Sequence, residues 1–216
     1  MDIRQRKNLI LLTHPLLKHK ITLLRSKETG TVLFRELVKE IAIMEGYEAL
    51  NDLPLHEIDV VTPIEKAREP AIASDGLCFV PVLRAGLGMV EGFLTLVPTA
   101  QVGQIGLRRD EKSHKPIEYL CKLPASIGKT RVYVLDPMLA TGGSAIKAVS
   151  LLKERGATDI RFVSIIAAPE GVASLLDKEP DVKLYVGALD RELNGNAYIC
   201  PGLGDAGDRL FGTDKE

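Results

Sequence analysis

The stretch Asp136-Pro137-Met138-Leu139-Ala140-Thr141-Gly142-Gly143-Ser144 constrains this chain more than any other. It follows the apolar, β-branched run Val132-Tyr133-Val134-Leu135 and precedes the helix-like Ala145-Ile146-Lys147-Ala148-Val149. The order is strand, acid, small polar loop, helix start. A helix N-terminus presents unpaired N–H groups and the positive end of its dipole, so Thr, two glycines and Ser placed there form a cradle for a phosphate group. Gly142 and Gly143 let the backbone approach the anion, and Thr141 and Ser144 add hydroxyl donors. Asp136 falls at the carboxyl end of the strand, where open α/β sheets bind ligands. A carboxylate beside a phosphate repels it unless it addresses neutral hydroxyls or a metal, and a sugar phosphate satisfies both demands.

Strands alternate with helical stretches along the rest of the chain, which predicts a mostly parallel sheet with helices packed against it. The core strands are expected at Leu77 to Leu83, Val132 to Leu135, Ile160 to Ile166 and Val182 to Val186. Between the second and third, Ile146, Val149 and Leu152 recur at helical spacing, and Gly156 can cap the helix. This is a βαβ unit with the phosphate loop at its turn. The segment Val32 to Leu50 reads as an amphipathic helix with Leu33, Leu37, Ile41 and Met44 on its apolar face. The 216 residues, 45% hydrophobic and 26% charged, suit one domain over 1–216 with a sizeable core.

A formal net charge of -1 lacks the overall footprint of a nucleic-acid or membrane-surface binder, so anion binding has to be local. Leu9-Ile10-Leu11-Leu12 is too short for a signal sequence or a membrane span, and the expected compartment is the cytoplasm. That run can pack on its own core or dock on a partner subunit. Cys78, Cys121 and Cys200 are odd in number and widely spaced, which suits reduced thiols and gives neither a disulfide framework nor a zinc pattern.

Two extended runs, Val102 to Leu107 and Pro116 to Lys122, flank the charged stretch Arg108-Arg109-Asp110-Glu111-Lys112-Ser113-His114-Lys115. Such a hairpin tip is usually solvated surface; beside a phosphate site it can also be a lid. Gly202-Leu203-Gly204-Asp205-Ala206-Gly207 matches G-x-G-x-x-G letter for letter. A dinucleotide fingerprint needs a following helix, another strand and an acid about twenty residues on, and the sequence reaches only Glu216. These glycines instead describe a tight loop presenting bare peptide groups beside apolar side chains, a surface that suits a flat heterocycle. There is no Walker A motif.

The loop Asp136 to Ser144 resembles the phosphoribosyl diphosphate (PRPP) signature of the type I phosphoribosyltransferases. Most of that superfamily carries two adjacent acids, whereas Asp136-Pro137-Met138-Leu139-Ala140-Thr141-Gly142-Gly143-Ser144 is similar to the uracil phosphoribosyltransferases in particular. The resemblance runs from about His14 to Gly212. It includes Val82-Leu83-Arg84-Ala85-Gly86-Leu87-Gly88 and the block Ile199 to Arg209. It implies an α/β fold, a mostly parallel sheet flanked by helices, with a flexible β-hairpin lid and a C-terminal base-binding hood.

Carried over residue by residue, the resemblance implies PRPP contacts from Arg84, Arg109, Asp136, Pro137, Met138, Leu139, Ala140, Thr141, Gly142, Gly143, Ser144 and Asp205. It implies uracil contacts from Ile199, Gly204, Asp205 and Ala206. Asp136 would accept from ribose hydroxyls, Ala140 to Ser144 would hold the 5-phosphate, and Arg84 would meet the diphosphate. Arg109 would close over PRPP; its neighbour Arg108 stands where many relatives have tyrosine. Asp205 has a second reading as an Asx-type turn in a Gly-rich loop. Backbone groups that match the uracil edge would reject cytosine by leaving a buried group unpaired, at roughly 1 to 3 kcal/mol per mismatch.

The implied reaction is displacement of diphosphate at ribose C1 by uracil N1, giving UMP, with catalysis by positioning and electrostatics rather than by a nucleophilic side chain. Mg2+ would ride on PRPP, with no protein metal site. The resemblance further implies a homo-oligomer, dimer or tetramer, and GTP or a pyrimidine nucleotide as effector. Two other readings stay open: transfer to another nucleobase, and a regulatory protein that binds nucleotide or RNA without turnover.

Overall fold

The computed structural model describes residues 3–73, 76–109 (the last by its backbone alone) and 116–213. In chain order the elements are β1 (Leu9–Leu11), α1 (Pro15–Arg25), α2 (Thr31–Ala49), β2 (Leu55–Val61), β3 (Lys66–Ile72), β4 (Leu77–Leu83), α3 (Leu87–Leu96), β5 (Gln101–Val102), β6 (Gln104–Arg109) and β7 (Pro116–Lys122). They continue with β8 (Arg131–Leu135), β9 (Met138–Leu139), α4 (Gly143–Glu154), β10 (Asp159–Ala167), α5 (Pro169–Lys178), β11 (Lys183–Leu189), β12 (Glu192–Leu193), β13 (Ile199–Cys200) and α6 (Ala206–Phe211).

The main sheet has the order β1-β11-β10-β8-β4-β6-β7, with β5 added to β4 and β9 to β10. Its neighbours are parallel except β6 and β7. The expected mostly parallel sheet flanked by helices is therefore present. β8 is central: Arg131 to Leu135 pair with Leu77 to Pro81 on one side and with Asp159 to Val163 on the other.

A parallel sheet covered on both faces needs apolar side chains at successive positions, not alternate ones. Along β8, Tyr133 and Leu135 join a core under α1, α2 and α3 that includes Leu24, Phe34, Ile41 and Phe93. Val132 and Val134 face the other core, with Val149 and Leu152 of α4 and Val172 and Leu175 of α5. Phe79 and Phe93 meet edge to face at 5.1 Å, and the buried Tyr133 hydroxyl donates to the Ala49 carbonyl at 3.3 Å. At the other end of the sheet Arg131, Arg161 and Lys183, from three neighbouring strands, all pair with Asp52 at 2.8, 3.1 and 2.9 Å. α4 ends as expected: Gly156 has φ 93, its N–H donates to the Lys153 carbonyl, and the Ala157 N–H reaches Leu152.

Two details depart from the sequence reading, and a third bears out one of its alternatives, the packing of Leu9 to Leu12 on the chain's own core. The buried face of α2 is Phe34, Leu37, Val38, Ile41, Ala42, Glu45 and Ala49, so Leu33 points out and Glu45 points in. Burial here follows contact with the sheet and α3, which places positions on the inner face irrespective of hydropathy. Leu9–Leu11 is an edge strand parallel to β11, with Leu9 and Leu12 buried. Finally, β2 and β3 form a separate antiparallel ribbon that hydrogen-bonds to no other strand. Among the described residues no helix is long and apolar enough to cross a membrane.

Glu45 is fully buried, and among the described residues neither carboxyl oxygen has a hydrogen-bond partner of good geometry. Burial pushes its pKa well above the ordinary 4.5, against a weaker pull from the Gly187 N–H. Because the folded pKa exceeds the unfolded one, the penalty for burying its charge is absent while the group is protonated in both states. Its cost grows as the pH rises above the unfolded value. Glu45→Met is expected to be more stable than wild type by about 1–3 kcal/mol at pH 8, with the gap closing towards pH 4.5. Urea melts across that range measure it, and a pH-independent difference would contradict the assignment.

Candidate active site

Asp136 follows β8 directly, and its N–H donates to the Val163 carbonyl at 3.2 Å. The next residues are stitched to β10: the Pro137 carbonyl accepts from Ile166 at 3.1 Å, β9 pairs with Ile166 and Ala167, and the Leu139 carbonyl accepts from Ala168 at 2.9 Å. The loop is thus fixed over its first half. Gly142 then turns the chain at φ 84, a conformation that disfavours any residue with a Cβ, and its carbonyl receives the first helical bond of α4 from Ile146 at 2.9 Å. The N–H groups of the first turn, beginning at Gly143, have no partner within the helix and point to the end where its dipole is positive.

The Asp136 carboxyl accepts from the Met138 N–H at 3.3 Å. Enclosure by protein atoms raises its pKa from 3.8 to about 7, and that N–H pulls the other way. A carboxyl poised there changes charge state near neutrality.

The opposite wall comes from the C-terminal segment. β12 and β13 are antiparallel, joined by a turn in which the Asn194 Oδ1 accepts from both the Asn196 and Tyr198 N–H groups at 3.0 Å. After β13 the chain passes a cis Cys200–Pro201 bond, then Gly202 at φ 67 and Gly204 at φ 84, before α6. Asp205 caps α6 by accepting from the Asp208 N–H at 2.9 Å, so its Asx-type reading is met geometrically.

Both walls enclose one cavity of about 270 Å³. Asp136, Met138, Leu139, Ala140, Thr141, Gly142, Gly143 and Ser144 line it on one side, and Ile199, Gly204 and Asp205 on the other. The sequence-predicted phosphate loop and base loop, some sixty residues apart in the chain, therefore share one space. Ala197 and Tyr198 line it too. Tyr198 was expected only as part of the apolar surface beside the glycine loop and Ala197 not at all, although Asn194-Gly195-Asn196 is a turn signal that places both next to the base loop.

Three named residues do not line the cavity. Pro137 directs its carbonyl to β10, and Ala206 packs its side chain into the core. Arg84, just past β4, pairs with Asp208 at 3.3 Å with its side chain 56% exposed, and its guanidinium lies 5.9 Å from the Phe211 ring centroid. Arg109 ends β6 opposite Pro116, and its side chain lies outside the described residues, as does the charged run 110–115. Pro116 itself comes close to the loop, its Cδ being 4.0 Å from where a Cβ on Gly143 would sit.

Among the described residues no group of three or more His, Cys, Asp or Glu is placed to hold a metal ion. Of the acids lining the cavity, Asp136 and Asp205 each already accept a backbone N–H. That donor set fits a divalent ion carried by a phosphorylated ligand better than one caged by protein.

A parallel sheet with an anion-binding loop at its carboxyl edge and a facing base-sized wall defines a phosphoribosyltransferase. The same fold occurs in the adenine phosphoribosyltransferase from Trypanosoma brucei, solved with AMP, pyrophosphate and ribose-5-phosphate, at TM-score 0.57 and 13% identity over 92% of this chain and 88% of that one. The chain belongs to the uracil phosphoribosyltransferase family, whose profile matches residues 11–213. It is 56% identical over 202 residues to the uracil phosphoribosyltransferase of Streptococcus salivarius, covering 94% of this chain and 97% of that protein. The structure of the AQ2163 protein from Aquifex aeolicus aligns at TM-score 0.92 with 40% identity, over 96% of this chain and 100% of the other.

Proposed function

We propose that this chain, working as a single domain over 1–216, transfers the 5-phosphoribosyl group of PRPP to N1 of uracil, giving UMP and diphosphate for pyrimidine salvage. The shared cavity is the observation that carries this reading: a phosphate loop and a base loop face each other across about 270 Å³. The 5-phosphate sits on Ala140 to Ser144, held by the first-turn N–H groups of α4 and the Thr141 and Ser144 hydroxyls. The ionised Asp136 carboxylate accepts from the ribose hydroxyls. Backbone groups at Ile199, Gly204, Asp205 and Ala206 read the uracil edge. Met138 and Leu139 form the cavity floor, and Pro137 fixes it to β10.

Charge builds on the departing diphosphate as the C1–O bond breaks and N1 of uracil bonds to C1, its N1 proton passing to solvent water or to the diphosphate oxygens. Arg84 meets that charge by leaving Asp208, an exposed pair of the kind worth about 0–1 kcal/mol. Arg109 and the hairpin β6–β7 close over the site and exclude water, a role supported by Pro116 at the start of β7 lying close to Gly143 of the loop. Mg2+, bound through PRPP, supplies a hard positive charge at the diphosphate oxygens.

The protein is further proposed to assemble with copies of itself. The β2–β3 ribbon exposes Leu55, Ile58, Val61 and Ile64, the last at 91%. The same chain has an apolar groove of about 560 Å³ along Leu12, Leu16, Leu17, Met44, Tyr47 and Leu96. An apolar arm and an apolar groove on one chain suit a second copy. A GTP or pyrimidine-nucleotide effector rests on the resemblance alone.

Incubation with PRPP, Mg2+ and labelled uracil, cytosine, hypoxanthine or orotate, with and without GTP, is expected to give product from uracil only. Because the ionised Asp136 carboxylate accepts hydroxyls more strongly than the neutral acid, kcat/KM for PRPP should rise with pH through about 7 and then level. Asp136→Asn should lose about 100-fold or more and the rising limb with it. Product from another base, or none while RNA is bound, would overturn the reading. Sedimentation velocity is expected to show a dimer or tetramer for wild type and a monomer for the double variant Ile58→Asp, Val61→Asp; an unchanged mass would exclude the ribbon from the interface.

A further inference from the structure

The wall that faces the phosphate loop is an unusual piece of backbone. Between β13 and α6 it carries a cis peptide and two residues with positive φ, and no sheet ladder reaches it. A Cβ on Gly202 would come within 2.1 Å of the Ile199 carbonyl oxygen, so the loop folds tightly onto itself. Reading a base with peptide groups requires those groups to stand within a few tenths of an ångström of their positions before the base arrives.

What fixes the loop lies behind it. Arg25, the last residue of α1, donates from both terminal nitrogens to the two carboxylate oxygens of Asp190, just past β11. The same guanidinium donates to the Gly202 carbonyl at 2.7 Å, while Asp190 accepts the Gly202 N–H at 2.9 Å. Both faces of that one peptide residue are thus held by a charged pair, and the Asp190 side chain is only 4% exposed. Arg209 of α6 repeats the device one residue on. It donates to the Leu203 carbonyl at 2.8 Å and to the carbonyls of Leu24, Ser26 and Thr29 at the end of α1, with its guanidinium 4.3 Å over the Phe34 ring. Neither arginine nor Asp190 lines the cavity.

We infer that Arg25, Asp190 and Arg209 are positioning residues for base recognition: they clamp residues 202–203 to the end of α1 and so set where Ile199, Gly204 and Asp205 present their peptide groups. The inference rests on the reading of that loop as the base reader. It goes beyond it by placing base specificity partly in three residues that touch neither substrate. The planar fork of Arg25 is needed because it spans the carboxylate and the Gly202 carbonyl at once; a lysine keeps the charge and cannot make the bidentate contact.

The test separates base recognition from PRPP recognition. Arg25→Lys is expected to raise the KM for uracil roughly tenfold, the scale of a lost charge-assisted hydrogen bond. The KM for PRPP should stay within about twofold, and the preference for uracil over cytosine should fall. Asp190→Asn, which keeps an acceptor for the Gly202 N–H and removes the charge, carries the same expectation if Arg25→Lys does not fold. Gly204→Ala alters the reading loop itself. If it leaves the uracil KM unchanged, the loop is not the base reader; if it raises that KM while Arg25→Lys does not, the clamp alone is wrong. A parallel rise in both KM values would reduce the clamp to general stability. In wild-type protein without uracil, the Gly202 amide should exchange with solvent as slowly as core strand amides. Rapid exchange there would overturn the clamp without any variant.

Discussion

The pairing of β8 with strands on both sides, under helices on both faces, is the constraint on which the site depends. Arg131 to Leu135 are locked in register with β4 and β10, and Val132 to Leu135 are buried above and below. The residue after them is therefore placed as firmly as the core itself. Asp136 is that residue, and its pKa of about 7 follows from the same enclosure that gives the strand its stability. A parallel sheet also sends its connections back over the faces, so the loops after β4, β8, β10 and β11 gather at one edge. Arg84, the phosphate loop, the start of α5 and Asp190 all lie there for that topological reason.

Two kinds of rigidity meet across the cavity. The phosphate loop is held by hydrogen bonds to β10, a strand of the main sheet. The base loop has no such ladder and is held by arginines anchored at the end of α1. Anion binding tolerates small shifts, since several N–H groups and a dipole share one diffuse charge. Discrimination between heterocycles does not, because one mispaired peptide group decides it. On the proposed reading, the more exacting task thus falls to the segment whose support is made of side chains.

The sequence showed the central strands β4, β8, β10 and β11 because burial on both faces makes them continuous apolar runs; the expected Leu77 to Leu83 has the observed bounds. It showed the phosphate loop because glycine, hydroxyl residues and an acid stand between a strand and a helix. Other parts were illegible for physical reasons. The β2–β3 ribbon hydrogen-bonds to no strand of the main sheet and β2 is mostly exposed, so Leu55-His56-Glu57-Ile58-Asp59-Val60-Val61 carries no core pattern to detect. β9 is two residues long and exists only through β10. Glu45 faces inward because of the neighbours of α2, not its own chemistry. Arg84 and Ala206 belong to recognisable blocks, yet one turns to Asp208 and the other to the core, and only tertiary packing decides that.

A crystal structure with UMP bound tests most directly whether one cavity holds both halves of a nucleotide. Density is expected for the 5′-phosphate against the backbone of residues 140–144, the ribose hydroxyls at Asp136, and the uracil ring against residues 199–206. UMP bound elsewhere, or in this cavity with phosphate and base exchanged, would contradict the assignment of the two loops.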